Sequence, residues 1–491
     1  MIDKLELLSA AELGSLVNAK KIKPSEVIKY FQNRIEKRNK SINAFVYTKF
    51  DEAMEYALKQ DKMLEEGKYL GPFAGVPFGL KDFLPNKPGW KSSHGGVPCL
   101  VNVDEEYSVF CKAMEELDGI PIGKTNAPSY GFRGTTDNKM YGVTKTPFNL
   151  KYNSGGSSGG SASAVSDGLV LISEGGDAGG SIRIPACFCN LYGFKAGIGT
   201  IPLNVRPDAY SCSHPYCFNG ALTKTVEDTA ILLNSMSYFD PRDPNSRDYR
   251  VDYLKEMKKD ISNFKIAYTS DFGIYEVEEE VKKCFEKEIE AFKKLGIPCE
   301  EVKFNFKHSA AKIAEAWCKG ITVDCAIELN LLKEKGIDLI KEHYDDFPSE
   351  FIYWKDKCDK LGIMDLYDFN LVRSDVLDQF ENVFEKYDFI LSPVSSVLAI
   401  ENNINNDTKG PSSINGKEIE PLIGWTQTFL ANFTGHPACS IPGSLAKDNL
   451  PFGIQIIGKR FHDGDVLAIS HAFEKLKPWK DNYKVSFERK I

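Results

Sequence analysis

Residues Asn153–Pro185 read NSGGSSGGSASAVSDGLVLISEGGDAGGSIRIP. No other stretch restricts the fold of this chain as strongly. Two serine–glycine clusters, Gly155–Ser161 and Gly179–Ser181, flank a segment that turns apolar. Glycine and serine runs are commonly flexible linkers. That reading does not account for Ala162–Ile172, which has the pattern of a helix leading into a buried strand. Nor does it account for Ile182, Arg183, Ile184 and Pro185 directly after the second cluster. The pattern predicts two tight backbone turns, each presenting a hydroxyl and a row of N–H groups.

The chain has 491 residues, 42% of them hydrophobic, enough for a large core. Such a length accommodates two or three domains, or one large α/β unit. The net charge of -8 is spread along the sequence, which argues against a nucleic-acid or anionic-membrane partner. Twelve cysteines occur without a CxxC pair, and Cys111, Cys187, Cys189 and Cys439 sit in apolar runs. They read as buried thiols of a reducing compartment. Cys187 and Cys189 lack zinc-knuckle spacing, and no HxxxH pair exists among the seven histidines, so no metal is expected. Met1–Ala10 does not fit a signal peptide, and no apolar run approaches a membrane span. The cytoplasm is the expected location.

Ser9-Ala-Ala-Glu12 is a capping box predicting a helix to about Ala19. Further helices are expected from Pro24, over Phe50–Glu66, and over Tyr107–Glu116. Val76–Leu80 reads as a short strand with alternating Val76, Phe78 and Leu80, ending in Lys81 and Asp82. Gly119–Thr125 falls one residue short of a phosphate loop. The turn-rich span from Tyr130 to Leu150 has the character of a loop lining a site. Beyond the central stretch, Leu191–Pro202 reads as strand and turn, and Asn219–Ser235 as a turn entering a helix. Phe264–Thr269 and Cys299–Phe304 read as strands around a helix over Glu278–Leu295. Ala310–Phe384 reads as a charged helical cover, solvated over the core. Asp388–Pro393, Ala438–Gly443 and Phe452–Gly458 read as late strands. Trp425–Leu430 reads as helical, and Val466–Leu476 as a closing helix. This αβ alternation without a dividing linker predicts an α/β fold.

Serine needs a neighbouring base to act as a nucleophile. One arrangement is Ser-His-Asp: Gly156-Ser157-Ser158-Gly159-Gly160 matches a G-x-S-x-G elbow centred on Ser158, with His436 and His471 available downstream. The other uses a neutral lysine. Lysine ordinarily titrates near 10.4, and burial lowers that value by disfavouring the charged form. Lys81, at the end of an apolar strand, suits this role, with Ser157 as relay and Ser181 as nucleophile. Gly179 and Gly180 would let a carbonyl approach backbone N–H groups that form an oxyanion hole.

Four ordered blocks resemble the amidase signature family over nearly the whole chain: GVPFGLKD at 75–82, GKTNAPSYGFRGTTDNKMYGVTKTPFNL at 123–150, the Gly/Ser stretch within 154–195, and LPFGIQIIGKRFHDGDVL at 450–467. The resemblance implies a single α/β domain over 1–491, with a large mixed, twisted sheet covered by helices. Within it, 1–68 would be an N-terminal helical segment, 69–200 the catalytic core, and about 305–385 a variable helical cover. The resemblance also implies Ser181 as the acyl-forming nucleophile, Ser157 as a relay preceded by a cis peptide bond, and Lys81 as base. Ala178, Gly179, Gly180 and Ser181 match the oxyanion-hole backbone. Gly131 and Ser157 match substrate-binding positions. Asp177, Arg183 and Ser158 are expected as structural support, with a substrate-carboxylate clamp as the rival role for Arg183.

The family implies no cofactor and no metal, a small-molecule amide as partner, and admits a homodimer. Three departures stand out: Ala178 replaces a common threonine, Lys195-Ala196-Gly197 replaces Lys-Pro-Ser/Thr, and Ile184 stands where the tRNA-dependent amidotransferase subunit usually has glutamine. The last favours a free-standing amidase. The alternatives are a non-catalytic scaffold and the glutamine-hydrolysing component of a tRNA amidotransferase. Trp317, Trp354, Trp425 and Phe429 are candidates for an apolar acyl pocket or for core packing.

Overall fold

The computed structural model describes residues 4–489. The chain opens with helices α1 (Ala10–Asn18), α2 (Pro24–Ile42) and α3 (Phe50–Glu65). The predicted capping box starts α1: the Glu12 amide donates to the Ser9 hydroxyl, and the Ser9 amide donates to the Glu12 carboxylate. The N-terminal segment is not wholly helical. Phe45–Thr48, rich in the aromatic and β-branched residues that favour a pleated surface, is strand β1 at the sheet edge.

Eleven strands form one mixed sheet. After β1 come β2 (Pro77–Lys81), β3 (Ile120–Thr125), β4 (Ile172–Asp177), β5 (Tyr192–Lys195) and β6 (Phe218–Thr223). The second half adds β7 (Ile266–Tyr268), β8 (Cys299–Glu301), β9 (Phe389–Pro393), β10 (Ala438–Leu445) and β11 (Pro451–Gly458). Their order across the sheet is β1-β3-β2-β4-β6-β5-β10-β11-β9-β7-β8. β2 runs parallel to both β3 and β4, whereas β4 pairs with β6 antiparallel. The carboxyl ends of β2 and β4, Lys81 and Asp177, therefore emerge side by side. In open α/β sheets, ligands bind outside such carboxyl ends.

Helix α4 (Gly159–Ser166) follows the first Gly/Ser cluster, and α5 (Arg183–Phe188) follows the second. The Gly/Ser stretch is thus two turns locked into the core, and Gly155–Ser166 is buried throughout. The cover comprises α6 (Ala310–Glu334), α7 (Ser349–Cys358) and α8 (Ile363–Phe384), among other short helices. It is more than a solvated layer, because Trp317, Phe351 and Val376 are buried.

Two expectations are corrected. Asn219–Leu222 lies in β6, with a helix only from Val226 to Met236. Asn-Gly suggested a turn, but Gly220 faces Gly175 across the strand pair. A Cβ on either glycine would come within 2.9 Å of an Ile182 side-chain carbon. The glycines there make room for Ile182. Trp425–Leu430 is also not helical, since the helix spans Leu430–Thr434. The Gln427 amide instead donates to the Val394 carbonyl beside β9.

Candidate active site

Lys81 leaves β2 into a closed interior, where it and Ser157 are 4% and 3% exposed. Its Nζ donates to the Ser157 hydroxyl at 2.7 Å and lies 5.1 Å from the centre of the Phe83 ring. Burial pushes the Lys81 amine down to about 7, even though Glu174 and Asp177 both pull the other way. Glu174 is spent on the scaffold. It accepts from the Lys81 amide at 3.1 Å, from Asn86 at 2.9 Å and from the Ser108 hydroxyl at 2.6 Å. The lysine is therefore held in place by an acid that makes no hydrogen bond to its amine.

The second turn presents a set of aimed peptide dipoles. In a planar trans peptide the C=O and the following N–H point in opposite directions, so fixing one fixes the other. The Ala178 carbonyl accepts from Trp317 Nε1 at 2.9 Å, the Gly179 carbonyl from the Thr428 hydroxyl at 2.5 Å, and the Gly180 carbonyl from the Ile184 amide at 2.7 Å. This orients the N–H groups of Gly179, Gly180 and Ser181. Gly180 has φ +129°, and a Cβ there would come within 2.1 Å of the Thr428 hydroxyl. A Cβ on Gly179 would come within 2.5 Å of the Trp317 ring.

One member of the expected oxyanion set is otherwise engaged. The Gly180 amide donates to Asp177 Oδ1 at 2.7 Å. The amides of Ala178, Gly179 and Ser181 have no acceptor among the described residues.

The two turns are tied by the Ser158 amide, which donates to the Ser181 carbonyl at 3.2 Å. The Gly156–Ser157 peptide bond is cis. Lys81 and Ser157 are brought together directly, whereas no hydrogen bond joins the hydroxyls of Ser157 and Ser181. The Ser181 hydroxyl has no partner among the described residues. Gly131 lies in a 3-10 turn, and its amide is used on the Pro128 carbonyl.

The Ser158-histidine arrangement is not formed. The Ser158 hydroxyl exchanges 3.3 Å contacts with the amide and carbonyl of Gly176. His436 is stacked on Phe384 and bonded to Thr434, and His471 faces Glu474.

Arg183 is fully buried, and the clamp role is excluded by its partners. Nε and Nη2 donate to Asp177 at 3.0 and 2.9 Å. The remaining N–H groups go to the Thr428 carbonyl, Gln455 and Asn432 at 2.6–2.7 Å. No donor is left for a substrate. Asp177 also accepts from the amides of Gly180 and Ile182 and from Asn432. Burial pushes the Asp177 carboxyl up, but Arg183, the Asn432 hydrogen bond and the charge of Lys195 outweigh it and bring it to about 2. Removing one partner of a buried pair strands the other charge. Arg183→Met is therefore expected to destabilise the fold by about 3–5 kcal/mol, read as a lower denaturation midpoint. An unchanged midpoint would contradict the structural role.

Sequence reasoning missed Glu174, Thr428, Asn432 and Gln455. Glu174 did carry a sign, as an acid inside the strand run ISEGGD. Of the four aromatic candidates, Trp317 adjoins the turn, and Phe429 packs near it with ring centres 6.3 Å apart. Trp425 stacks on Phe188 and donates to the Pro421 carbonyl, which is packing.

A buried lysine–serine pair beside a turn of aimed amides, on the carboxyl ends of a mixed sheet, is the equipment of an acyl-transfer enzyme. Comparison with known proteins agrees. The family described as Amidase matches residues 26–467. The acylamidase of Rhodococcus erythropolis is 29% identical over 482 residues, 97% of each chain. A glutamyl-tRNA(Gln) amidotransferase subunit of Fusobacterium nucleatum subsp. nucleatum is 31% identical over 492 residues, covering 95% of this chain and 96% of that one. A solved bacterial aryl acylamidase of the amidase signature enzymes superposes with a TM-score of 0.96 at 39% identity, covering 99% of both chains. The chain belongs to the amidase family, and it is a hydrolase of amide C–N bonds.

Proposed function

We propose that this enzyme hydrolyses small-molecule carboxylic amides through an acyl-Ser181 intermediate, with Ser157 as proton relay and Lys81 as base. The observation that carries the reading is the 2.7 Å bond from Lys81 to Ser157, made by an amine that burial pushes to about 7. Neutral Lys81 takes the Ser157 proton as Ser157 takes that of Ser181. The Ser181 oxygen attacks the amide carbon. The carbonyl oxygen becomes anionic against the N–H groups of Ala178, Gly179 and Ser181, where each donor is worth about 3 kcal/mol. The proton returns through Ser157 to the leaving amine, the C–N bond breaks, and water cleaves the acyl ester by the same relay.

For the substrate we favour an aryl acylamide. The likeness to a bacterial aryl acylamidase extends over 99% of both chains. Aromatic rings also adjoin the site: Phe83 beside Lys81 and Trp317 beside the turn, with Phe429 packed on Trp317 and Phe433 on Phe429. In this reading 69–200 supplies the chemistry, 305–385 shapes the acyl pocket, and the enzyme works in the cytoplasm. Among the described residues no helix is long and apolar enough to cross a membrane.

The alternative is glutamine hydrolysis for a tRNA amidotransferase, supported by the 31% identity to the Fusobacterium relative. Activity on a panel containing 4-nitroacetanilide, aliphatic amides and glutamine separates the two. The anilide is expected to give the highest kcat/KM with no other protein present. Preference for glutamine, rising when the other amidotransferase components are added, would reverse the assignment.

A further inference from the structure

Between β5 and β6 the chain folds back onto α6. Cys212 and Cys217 close this excursion, with the Cys217 amide donating to the Cys212 carbonyl at 3.0 Å. Gly320 of α6 lies under the loop, where a Cβ would come within 2.1 Å of the His214 carbonyl oxygen. Loop and helix thus meet backbone to backbone. About one helical turn further on, Asp324 meets the two thiols. A carboxylate oxygen of Asp324 and the Sγ atoms of Cys212 and Cys217 all lie within 4.8 Å of one another. Asp324 Oδ2 is shut off from solvent and has no hydrogen-bond partner. Arg373 of α8, bonded to the carbonyls of Ser213 and Phe433, is the cation that acts on this carboxylate.

We propose that Cys212, Cys217 and Asp324 bind a thiophilic divalent cation of the Zn2+ type, pinning the 212–217 loop to α6. The donor set suits such an ion, with two soft sulfurs and one oxygen. With Zn–S near 2.3 Å and Zn–O near 2.0–2.2 Å, tetrahedral ligands sit about 3.5–3.8 Å apart. Small side-chain rotations bring these three groups to that spacing, and water takes the fourth position. Binding exchanges two thiol protons for the metal with no change of oxidation state. Two thiolates and a carboxylate carry three negative charges, and a divalent cation with Arg373 balances them. The cation would be structural and separate from the hydrolytic chemistry. It would brace the helix that, two turns earlier, carries Trp317 to the Ala178 carbonyl.

The test uses the full chain, purified with reductant, stripped with a chelator and titrated with Zn2+ or Co2+. One Zn2+ per chain should be retained in native mass spectrometry and should raise the melting temperature. The Co2+ form should show near-ultraviolet thiolate-to-metal charge-transfer absorption. Cys212→Ser, Cys217→Ser and Asp324→Asn should each weaken binding roughly tenfold or more, while Cys99→Ser leaves it intact. Retained amide hydrolysis in the metal-free variants would show that they fold. Three outcomes overturn the proposal: no stoichiometric metal, equal binding by the Cys212→Ser/Cys217→Ser double variant, or a Cys212–Cys217 disulfide in freshly isolated protein.

Discussion

Replacing Ser181 by alanine is expected to lower kcat by on the order of 10^5-fold and to abolish labelling by a fluorophosphonate probe. Ser181 closes the turn and its hydroxyl has no hydrogen-bond partner among the described residues, on a backbone whose carbonyls are all held. Ser158, the rival serine, is bound to the Gly176 backbone. Ser158→Ala should therefore keep labelling. The reverse result, with Ser181→Ala labelled as fast as wild type, would remove Ser181 from the chemistry. Acyl-enzyme should also be trapped on Ser181 by rapid quench with a slow ester substrate, since the acyl–Ser181 bond outlives the departure of the alcohol.

Removing the proposed base should give the second large effect. Lys81→Met keeps a stem of similar length without an amine, and kcat/KM should fall on the order of 10^4-fold, the upper range for general-base loss. The wild-type pH profile follows from the sign of the shift. In the proposed mechanism the neutral amine is the active form, and burial brings its midpoint to about 7. Below that pH kcat/KM should drop about tenfold per unit, and above it should level off. An unburied lysine would place the same limb near 10.4. A profile still climbing steeply at pH 9 would mean that Lys81 is charged in the resting enzyme. A flat profile from pH 5 to 8 would mean that it is not the base.

Much of this was legible in the residues. Alternation of Val76, Phe78 and Leu80 placed Lys81 at a buried strand end, and the Gly/Ser clusters announced turns where a carbonyl could approach backbone. What was not legible depends on partners far away in the chain. Gly220 reads like a turn residue until Ile182 is seen to occupy the space in front of it. The Gly180 amide looks available until Asp177 turns its carboxylate back across the loop. Arg183 could have faced a substrate, because nothing local says that Thr428, Asn432 and Gln455 will occupy its fork. Trp317 has no sequence pattern to separate it from an ordinary core tryptophan. Its role exists only where α6 crosses the turn.

In the proposed mechanism that crossing couples substrate range to turnover. Trp317 belongs to the helical cover expected to shape the acyl pocket, yet its indole N–H sets the tilt of the Ala178–Gly179 peptide. Exchanging α6 to admit a different acyl group would also re-aim a dipole proposed to meet the developing negative charge. Substrate breadth and rate are thus two readings of one helix position, so variants selected for a new amide should show altered kcat on the old one as well.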